Sequence, residues 1–295
     1  MGNEDNFLIR EIAPGVFIET DYALVTVGAI STSDGWVCID TPPYPRDARA
    51  WKTALRDINN QPIRYVINTD HHRDRILGNI WFEAPVIAHE VSAEIMSNLK
   101  NAFITQSAEE LSINDADVVE IANLKIVPPQ ISFTNTLLLH CGKHVITLNH
   151  TPSATAGSSS ISLADEKVIF VGDMLIANQH PYVTDGLSKL WLNSLQMLSE
   201  DRYADWTIVP GRGGVISQAE VESLSDYLRM VRGRVNSLLR AERPRSETAV
   251  LISEILPSLK YDPDQREEIQ RRIKTMLEAI YEEMRDGQEE DVETE

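Results

Sequence analysis

The sequence has few cysteines, few basic residues and no long apolar run, and each shortage excludes a class of protein. Two cysteines in 295 residues, Cys38 and Cys141, cannot build a disulfide framework, and both lie in apolar runs typical of buried, inert thiols. The 27 Lys and Arg are outnumbered by 45 Asp and Glu, and the net charge of -18 argues against nucleic acid or an anionic membrane as partner. No segment approaches the ~20 apolar residues that span a bilayer.

The N-terminus also lacks a targeting pattern. Residues 1–9 contain Glu4 and Asp5 and have neither the basic start nor the apolar core of a secretory signal. We therefore expect a cytoplasmic protein. No internal repeat at solenoid periods is visible, and a composition of 42% hydrophobic and 24% charged residues is ordinary for a soluble globular protein.

Runs of β type and helical spacing alternate along the chain and predict a mixed fold. A β-rich block that ends at Asp40 contains Asp34-Gly35, a strong hairpin signal. A second β-rich block runs over 137–171, and everything from Ser217 onward shows helical spacing. Residues 101–124 are weakly patterned and predict a surface excursion. We expect an α/β (α+β) sandwich over 1–241, a helical appendage over 242–286 and an acidic disordered tail over 287–295.

The stretch from Val66 to Asn79 holds the main cluster of ionisable side chains. It follows a β-branched run, Ile63 to Ile67, that predicts a buried strand. The next polar positions read Asp70-His71-His72-Arg73-Asp74-Arg75. Polar clusters at strand ends are typical of chemistry in α/β proteins, so we predict a functional site here.

Five pieces in a fixed order carry a resemblance to a known family. They are residues 35–42, 66–79, 152–158, 169–173 and 209–213. Over roughly residues 9–239 the chain resembles the metallo-β-lactamase superfamily. The resemblance implies an αββα four-layer sandwich, here with extra C-terminal helices, whose strand-end loops hold one or two metal ions, usually zinc. It also implies hydrolysis by a metal-activated water.

The first metal-ligand motif that this resemblance implies is only half kept. The family pattern His-x-His-x-Asp-His falls on residues 70–75, where His72 and Asp74 match. Asp70 and Arg75 stand in place of the first and last histidines. A guanidinium group stays protonated and has no lone pair to offer, so Arg75 cannot bind a metal.

The later ligand positions depart further from the family. The next histidine position falls on Ala154, because taking His150 instead would lengthen the loop before the following strand. Asp173 matches the aspartate that bridges two metals, and Arg212 stands at the final histidine. With arginine at two of its four positions, the second metal site is expected to be lost.

The balance of charge explains why Arg75 and Arg212 replace histidines together. Asp70, Asp74 and Asp173 would place three negative charges in a partly buried cleft, which needs positive charge among them. We expect Arg75 and Arg212 to occupy the second-metal space and to pair with Asp74 and Asp173. A satisfied ion-pair network without any ligand is the alternative reading. His180 is the remaining candidate pocket histidine, with a structural role equally open.

Two hypotheses of function follow. In the first, the dimetal centre is eroded, no metal cofactor is held, and the cleft binds a small anionic ligand or a protein partner without hydrolysis. Its pocket residues are Asp70, His72, Asp74, Arg75, Asp173, His180 and Arg212. In the second, the chain is a mononuclear metal-dependent esterase or phosphoesterase. Its single zinc, iron or manganese ion is held by Asp70, His72 and Asp173 with His150 or His180.

A third possibility lies in the C-terminal helices. They could serve homo-oligomerisation or partner binding, in which case cutting the chain after Ala241 abolishes association and leaves the sandwich folded.

Overall fold

A computed structural model describes residues 9–112, 114–176, 180–181, 185 and 187–293. The chain divides into two compact units. The first comprises Met1–His150, Gly157–Gly172 and Trp206–Val215. The second comprises Thr151–Ala156, Asp173–Asp205 and Ile216–Glu295. This division differs from the predicted boundary at Ala241, because residues 216–240 group with the C-terminal helices.

The first unit contains a seven-stranded sheet with strand order β1-β2-β3-β4-β5-β6-β7. Strands β1 to β4 pair antiparallel, and β4 to β7 pair parallel. The hairpin signal at Asp34-Gly35 is confirmed, since Thr32 pairs with Gly35 across a two-residue turn. The strands are β1 (Arg10–Ala13), β2 (Val16–Glu19), β3 (Val27–Thr32), β4 (Gly35–Ile39), β5 (Ile63–Ile67), β6 (Val86–His89) and β7 (Ile131–Phe133).

A second sheet has five strands in the order β12-β11-β10-β9-β8. Strands β8 to β11 pair antiparallel. Strand β11 crosses the boundary between the units, since Gly172 belongs to the first and Asp173 to the second. The strands are β8 (Thr136–Cys141), β9 (His144–His150), β10 (Ser159–Leu163), β11 (Val168–Ile176) and β12 (Thr207–Arg212).

The two sheets share one apolar core in the first unit. Side chains of the first sheet, such as Ile67 and Ile87, cluster with Leu148, Ile161 and Phe170 of the second. On the outer face of the first sheet, Trp51 and Leu55 of a helix join another cluster. The mixed α/β class and the αββα sandwich with extra C-terminal helices are therefore confirmed.

Five helices belong to the first unit: α1 (Pro45–Ile58), α2 (Arg73–Ile76), α3 (Glu90–Asn98), α4 (Asn101–Leu111) and α5 (Asp115–Ala122). Residues 101–124, which we expected to form a weakly patterned excursion over the surface or near a pocket mouth, contain the helices α4 and α5. Residues Ile104, Ala108 and Leu111 line one face of α4 and are buried with Tyr44 and Leu77. Contacts that are distant in sequence therefore stabilise helices whose own pattern is weak.

The described part of the second unit is largely helical, with α6 (Ser188–Leu198), α7 (Gln218–Arg240), α8 (Ile252–Ile255) and α9 (Arg266–Glu293). Ser217 and Glu220 form a capping box at the start of α7. In α9, Ile269, Ile273 and Ile280 are buried along one face. The backbone of 287–293 continues α9, where we expected a disordered tail. Among the described residues, none of the helices is long and apolar enough to cross a membrane.

Candidate functional site

The loop after strand β5 is held in one conformation by polar groups around the carbonyl oxygen of Arg75. That oxygen accepts hydrogen bonds from the Thr41 hydroxyl at 2.8 Å and from the Asn68 side chain at 2.9 Å. Asn68 also bonds to Asn79 through both side-chain amides. These contacts fix the turn from Asp70 into α2, so the cluster that we predicted from residues 70–75 is rigidly placed at the strand end.

Arg75 carries a fully buried guanidinium group. Its Nη1 lies 3.1 Å from Oδ2 of Asp40, and its Nε lies 3.5 Å from Oδ1 of Asp70. Both terminal nitrogens also lie 3.4 Å from the carbonyl oxygen of Gly211. Arg75 therefore forms a structural ion-pair centre, with carboxylate partners that we did not assign to it from the sequence.

Asp40 is a site residue that sequence reasoning missed. It directly follows β4 in the left-handed region, with φ of 55°. Its carboxylate accepts hydrogen bonds from the Thr69 amide at 2.8 Å and the Thr69 hydroxyl at 2.7 Å. Burial raises the pKa of Asp40 to about 6, although the Arg75 charge acts in the opposite direction. The available signal was its place within the family-like motif of residues 35–42.

Asp70 and His72 form a second pair in the same loop. Oδ1 of Asp70 accepts a hydrogen bond from the His72 backbone amide at 2.9 Å. Oδ2 of Asp70 lies 3.2 Å from Nδ1 of His72. A carboxylate beside Nδ1 favours the proton on that nitrogen and leaves Nε2 as the acceptor or ligand atom. Asp70 therefore orients His72.

Arg212 contacts Asp74, one of the two carboxylates that we expected Arg75 and Arg212 to pair with. Nη2 of Arg212, at the end of β12, lies 2.5 Å from Oδ2 of Asp74 in α2. A charge-assisted bond of this length is among the stronger polar contacts in proteins. Two positions that resemble metal ligands thus form an ion pair with each other, in which Arg212 supplies the positive charge.

The accessible groups of this cluster are an imidazole and a guanidinium group, while its acids are hidden. The side chains of Asp40, Asp70 and Asp74 are 2%, 1% and 8% exposed. By contrast, the side chains of His72 and Arg212 are 18% and 21% exposed. A molecule that enters from solvent meets an imidazole and a guanidinium group first.

Gly172 precedes the next candidate residue, Asp173, and sets the backbone conformation there. It has φ of 54°, and a Cβ atom there would come within 2.7 Å of Thr69. Only glycine combines that conformation with such a close approach. Asp173 follows directly in β11 and is buried.

The residue types at the family-like positions bear on which metal ions they could hold. One imidazole and two carboxylates are suitable ligands for zinc, iron or manganese. The second site would require donors at positions 75 and 212, where both residues are arginine, and Ala154 offers no donor either. The residues present therefore disagree with a dinuclear centre.

The two histidines considered as a fourth ligand have other partners. The His150 ring stacks on His89 with centroids 3.8 Å apart. Nδ1 and Nε2 of the buried His180 lie 3.0 Å from the Tyr227 hydroxyl and from the Leu256 carbonyl oxygen. Because both nitrogens of His180 are engaged, it has a structural role, and the assignment of His180 to the ligand pocket is not supported.

Comparison with known proteins agrees with this architecture. The sequence matches the family model of the metallo-beta-lactamase superfamily over residues 22–212. No curated protein matches the chain. A metallo-beta-lactamase family protein from Thermus thermophilus superposes with a TM-score of 0.68 at 19% identity, covering 94% of this chain and 95% of that one.

Two other solved structures share the fold at similarly low identity. A metallo-beta-lactamase from Pontibacter korlensis has a TM-score of 0.59 at 19% identity and covers 75% of this chain and 98% of its own. A stereoselective inverting sec-alkylsulfatase from Pseudomonas sp. has a TM-score of 0.66 at 15% identity, over 92% of this chain and 49% of its own. The family match spans more than half of the sequence, and the chain belongs to the metallo-beta-lactamase superfamily.

Proposed function

We propose that this protein binds a small anionic ligand at the Asp/Arg cluster and does not hydrolyse it. The observation that carries the proposal is the 2.5 Å contact between Arg212 and Asp74, both at positions that resemble ligands of the second metal. The fully buried Arg75, at another position that resembles a ligand of that metal, supports the proposal that protein cations take its place. The chain thus lacks the donors for a dinuclear water-activating centre.

The chemistry of the exposed groups supports an anion as the ligand. The Arg212 side chain is 21% exposed, and a planar guanidinium group suits carboxylate and phosphate groups. His72 adds a second polar group that solvent can reach. The buried carboxylates are screened from an incoming anion by the arginines that they contact.

Isothermal titration calorimetry with oxalate, inorganic phosphate and sulfate tests this function. Binding of at least one of them is expected, and Arg212→Gln should weaken it about tenfold or more, the loss of one charge-assisted interaction. Arg56→Gln is the matched control, since Arg56 is exposed on α1 and pairs only with its neighbour Asp57 among the described contacts. The proposal is overturned if none of the three anions binds, or if the two variants behave alike.

A second function is favoured by the donor types of Asp70, His72 and Asp173, which are two carboxylates and one imidazole. In this alternative the three side chains hold one zinc, iron or manganese ion, which when bound would lower the pKa of a coordinated water. Asp70 would then also keep His72 oriented. The protein would be a mononuclear esterase or phosphoesterase.

Metal analysis of protein purified without chelator separates the two functions. About one equivalent of tightly held metal, together with turnover of ester or phosphoester substrates that is lost in His72→Ala, would establish the hydrolase. Less than about a tenth of an equivalent, with no turnover after zinc, iron or manganese is added, would favour the anion-binding function.

A further inference from the structure

Strand β8 is an open edge of the second sheet. It is the terminal strand in the order β12-β11-β10-β9-β8, so within the described part of the chain it pairs on one side with β9. Its six residues, Thr-Leu-Leu-Leu-His-Cys, contain no Asp, Glu, Lys, Arg or Pro. Leu138 in its middle is 54% exposed.

The other three sheet edges carry features that discourage pairing with another chain. Strand β1 is short, has Arg10 and Glu11, and contains a register irregularity. Strand β7 has three residues, and β12 contains Pro210 and ends at Arg212. Charges, bulges, prolines and short length are the means by which proteins protect edges. Strand β8 has none of these protective features, so its edge is open to pairing with another strand.

The register of the hairpin shows which backbone groups point outward. Cys141 pairs with His144 across a two-residue turn that starts at Gly142, with φ of 59°. The His150 amide donates to the Asn135 carbonyl oxygen at 2.8 Å, so odd-numbered residues of this strand bond toward β9. Hydrogen-bonded and open pairs alternate in an antiparallel ladder. The N–H and C=O groups of Thr136, Leu138 and His140 therefore face away from β9.

We propose that two copies of this chain associate through antiparallel pairing of their β8 strands around a two-fold axis at Leu138. An antiparallel edge is complementary to itself, which is the condition for a closed dimer. Leu138 lies opposite Leu138 of the second copy, and Thr136 lies opposite His140, each pair exchanging both of its backbone bonds. The result is one continuous sheet of ten strands.

Electrostatics explains why the second copy meets at this edge. Each chain carries a net charge of -18, so most surfaces of two copies repel one another. The β8 strand contains no Asp, Glu, Lys or Arg. Val145 of β9, 38% exposed, lies one strand away from this edge, opposite His140.

Light scattering coupled to size-exclusion chromatography tests the proposal with the full chain. The wild type should give a mass near twice the 33.2 kDa of one chain, and Leu138→Lys should give a single chain. Val145→Lys introduces the same charge on the same face of the neighbouring strand and should leave the dimer largely intact. A wild type that stays a single chain at every attainable concentration overturns the proposal, as does a Leu138→Lys variant that remains dimeric.

A disulfide test checks the register. The Cα atoms of a hydrogen-bonded antiparallel pair are about 5.5 Å apart, within disulfide range, so oxidised Leu138→Cys should cross-link to itself. Thr136→Cys should not, because its two copies would be about 13 Å apart along the strands. Cys38 and Cys141 are buried in both variants. Equal cross-linking of the two variants would contradict the pairing around Leu138.

Discussion

At the scale of single residues, replacing Arg75 should lower the free energy of unfolding more than replacing any other residue of the site. It is fully buried, and its loss leaves the Asp40 and Asp70 carboxylates without their cation. Breaking a buried ion pair on one side typically costs about 3–5 kcal/mol. We expect Arg75→Met to lower the free energy of unfolding by that amount in urea denaturation at neutral pH.

Two further variants identify the cause of that loss. Arg212→Met should cost less, because Arg212 is partly exposed and Asp74 can gain water. Adding Asp40→Asn to Arg75→Met should recover part of the stability, since one uncompensated carboxylate is then gone. A loss below about 1 kcal/mol in Arg75→Met would show that the pair contributes little.

The pKa of Asp40 predicts a specific pH dependence. Burial raises this pKa from 3.8 to about 6, so between these values the folded protein keeps a proton that the unfolded chain has released. The contribution of Asp40 to stability is then fully present below about pH 4 and is lost as the pH rises to about 6. Two pKa units correspond to about 3 kcal/mol.

Denaturant unfolding of wild type and Asp40→Asn from pH 4 to pH 7 measures this contribution. The stability of the wild type relative to the variant should fall by about 3 kcal/mol over that range. A relative stability that instead rises with pH would mean that pairing with Arg75 outweighs burial and lowers the Asp40 pKa.

How far the site could be predicted differs from residue to residue. The pairing of Asp74 with Arg212 followed from motif positions and charge alone, although 138 residues separate them. The role of Asp40 did not, because its carboxylate reaches Arg75 only through a left-handed turn at the end of β4. For His180 the sequence left two roles open, and contacts with Tyr227 and Leu256 decide for the structural one.

At the scale of elements, Glu283 of α9 acts as the N-terminal cap of α6. Leu187 at the cap position provides no side-chain bond. The Glu283 carboxylate instead accepts from the amides of Ser188 at 3.0 Å and Lys189 at 2.9 Å, and Nη1 of Arg232 lies 3.1 Å away. A helix N-terminus favours such a negative charge.

We expect Glu283→Ala to destabilise the protein by about 2 kcal/mol in thermal or urea unfolding, the upper end for a lost cap because Arg232 also loses its partner. Glu282→Ala is the matched control in the same helix, since Glu282 pairs with exposed arginines. Its effect should stay below about 1 kcal/mol. Equal losses in the two variants would rule out the capping role.

Helices and strands whose apolar residues have a clear periodic spacing could be predicted. Those stabilised by contacts distant in sequence could not. The expected strand 63–67 coincides with β5, and the expected helix 187–198 is one residue longer than α6. Helix α4 was missed because its buried face depends on Ala108 and on Tyr44, whose hydroxyl donates to the Leu111 carbonyl oxygen at 2.9 Å. Such contacts have no local signature.

At the scale of the whole molecule, the order of motifs was enough to predict the family and the sandwich. It was not enough to predict the division into units. Helix α7 buries Leu228 and Val231, and Met276 of α9 lies 3.8 Å from the Tyr227 hydroxyl. The helices on either side of Ala241 therefore share one core, which composition does not reveal.

Net charge makes the proposed β8 dimer sensitive to salt in a defined direction. Two chains of charge -18 repel each other over a Debye length of about 30 Å at 0.01 M salt, but only over about 10 Å at 0.1 M. Since the paired strands contain no Asp, Glu, Lys or Arg, no ion pair between them would be weakened, and salt mainly screens the repulsion between the two chains. Sedimentation equilibrium should show a dissociation constant that falls several-fold from about 0.01 M to about 0.3 M NaCl. A dissociation constant that rises with salt would mean that ion pairs, rather than the β8 backbone, join the two copies.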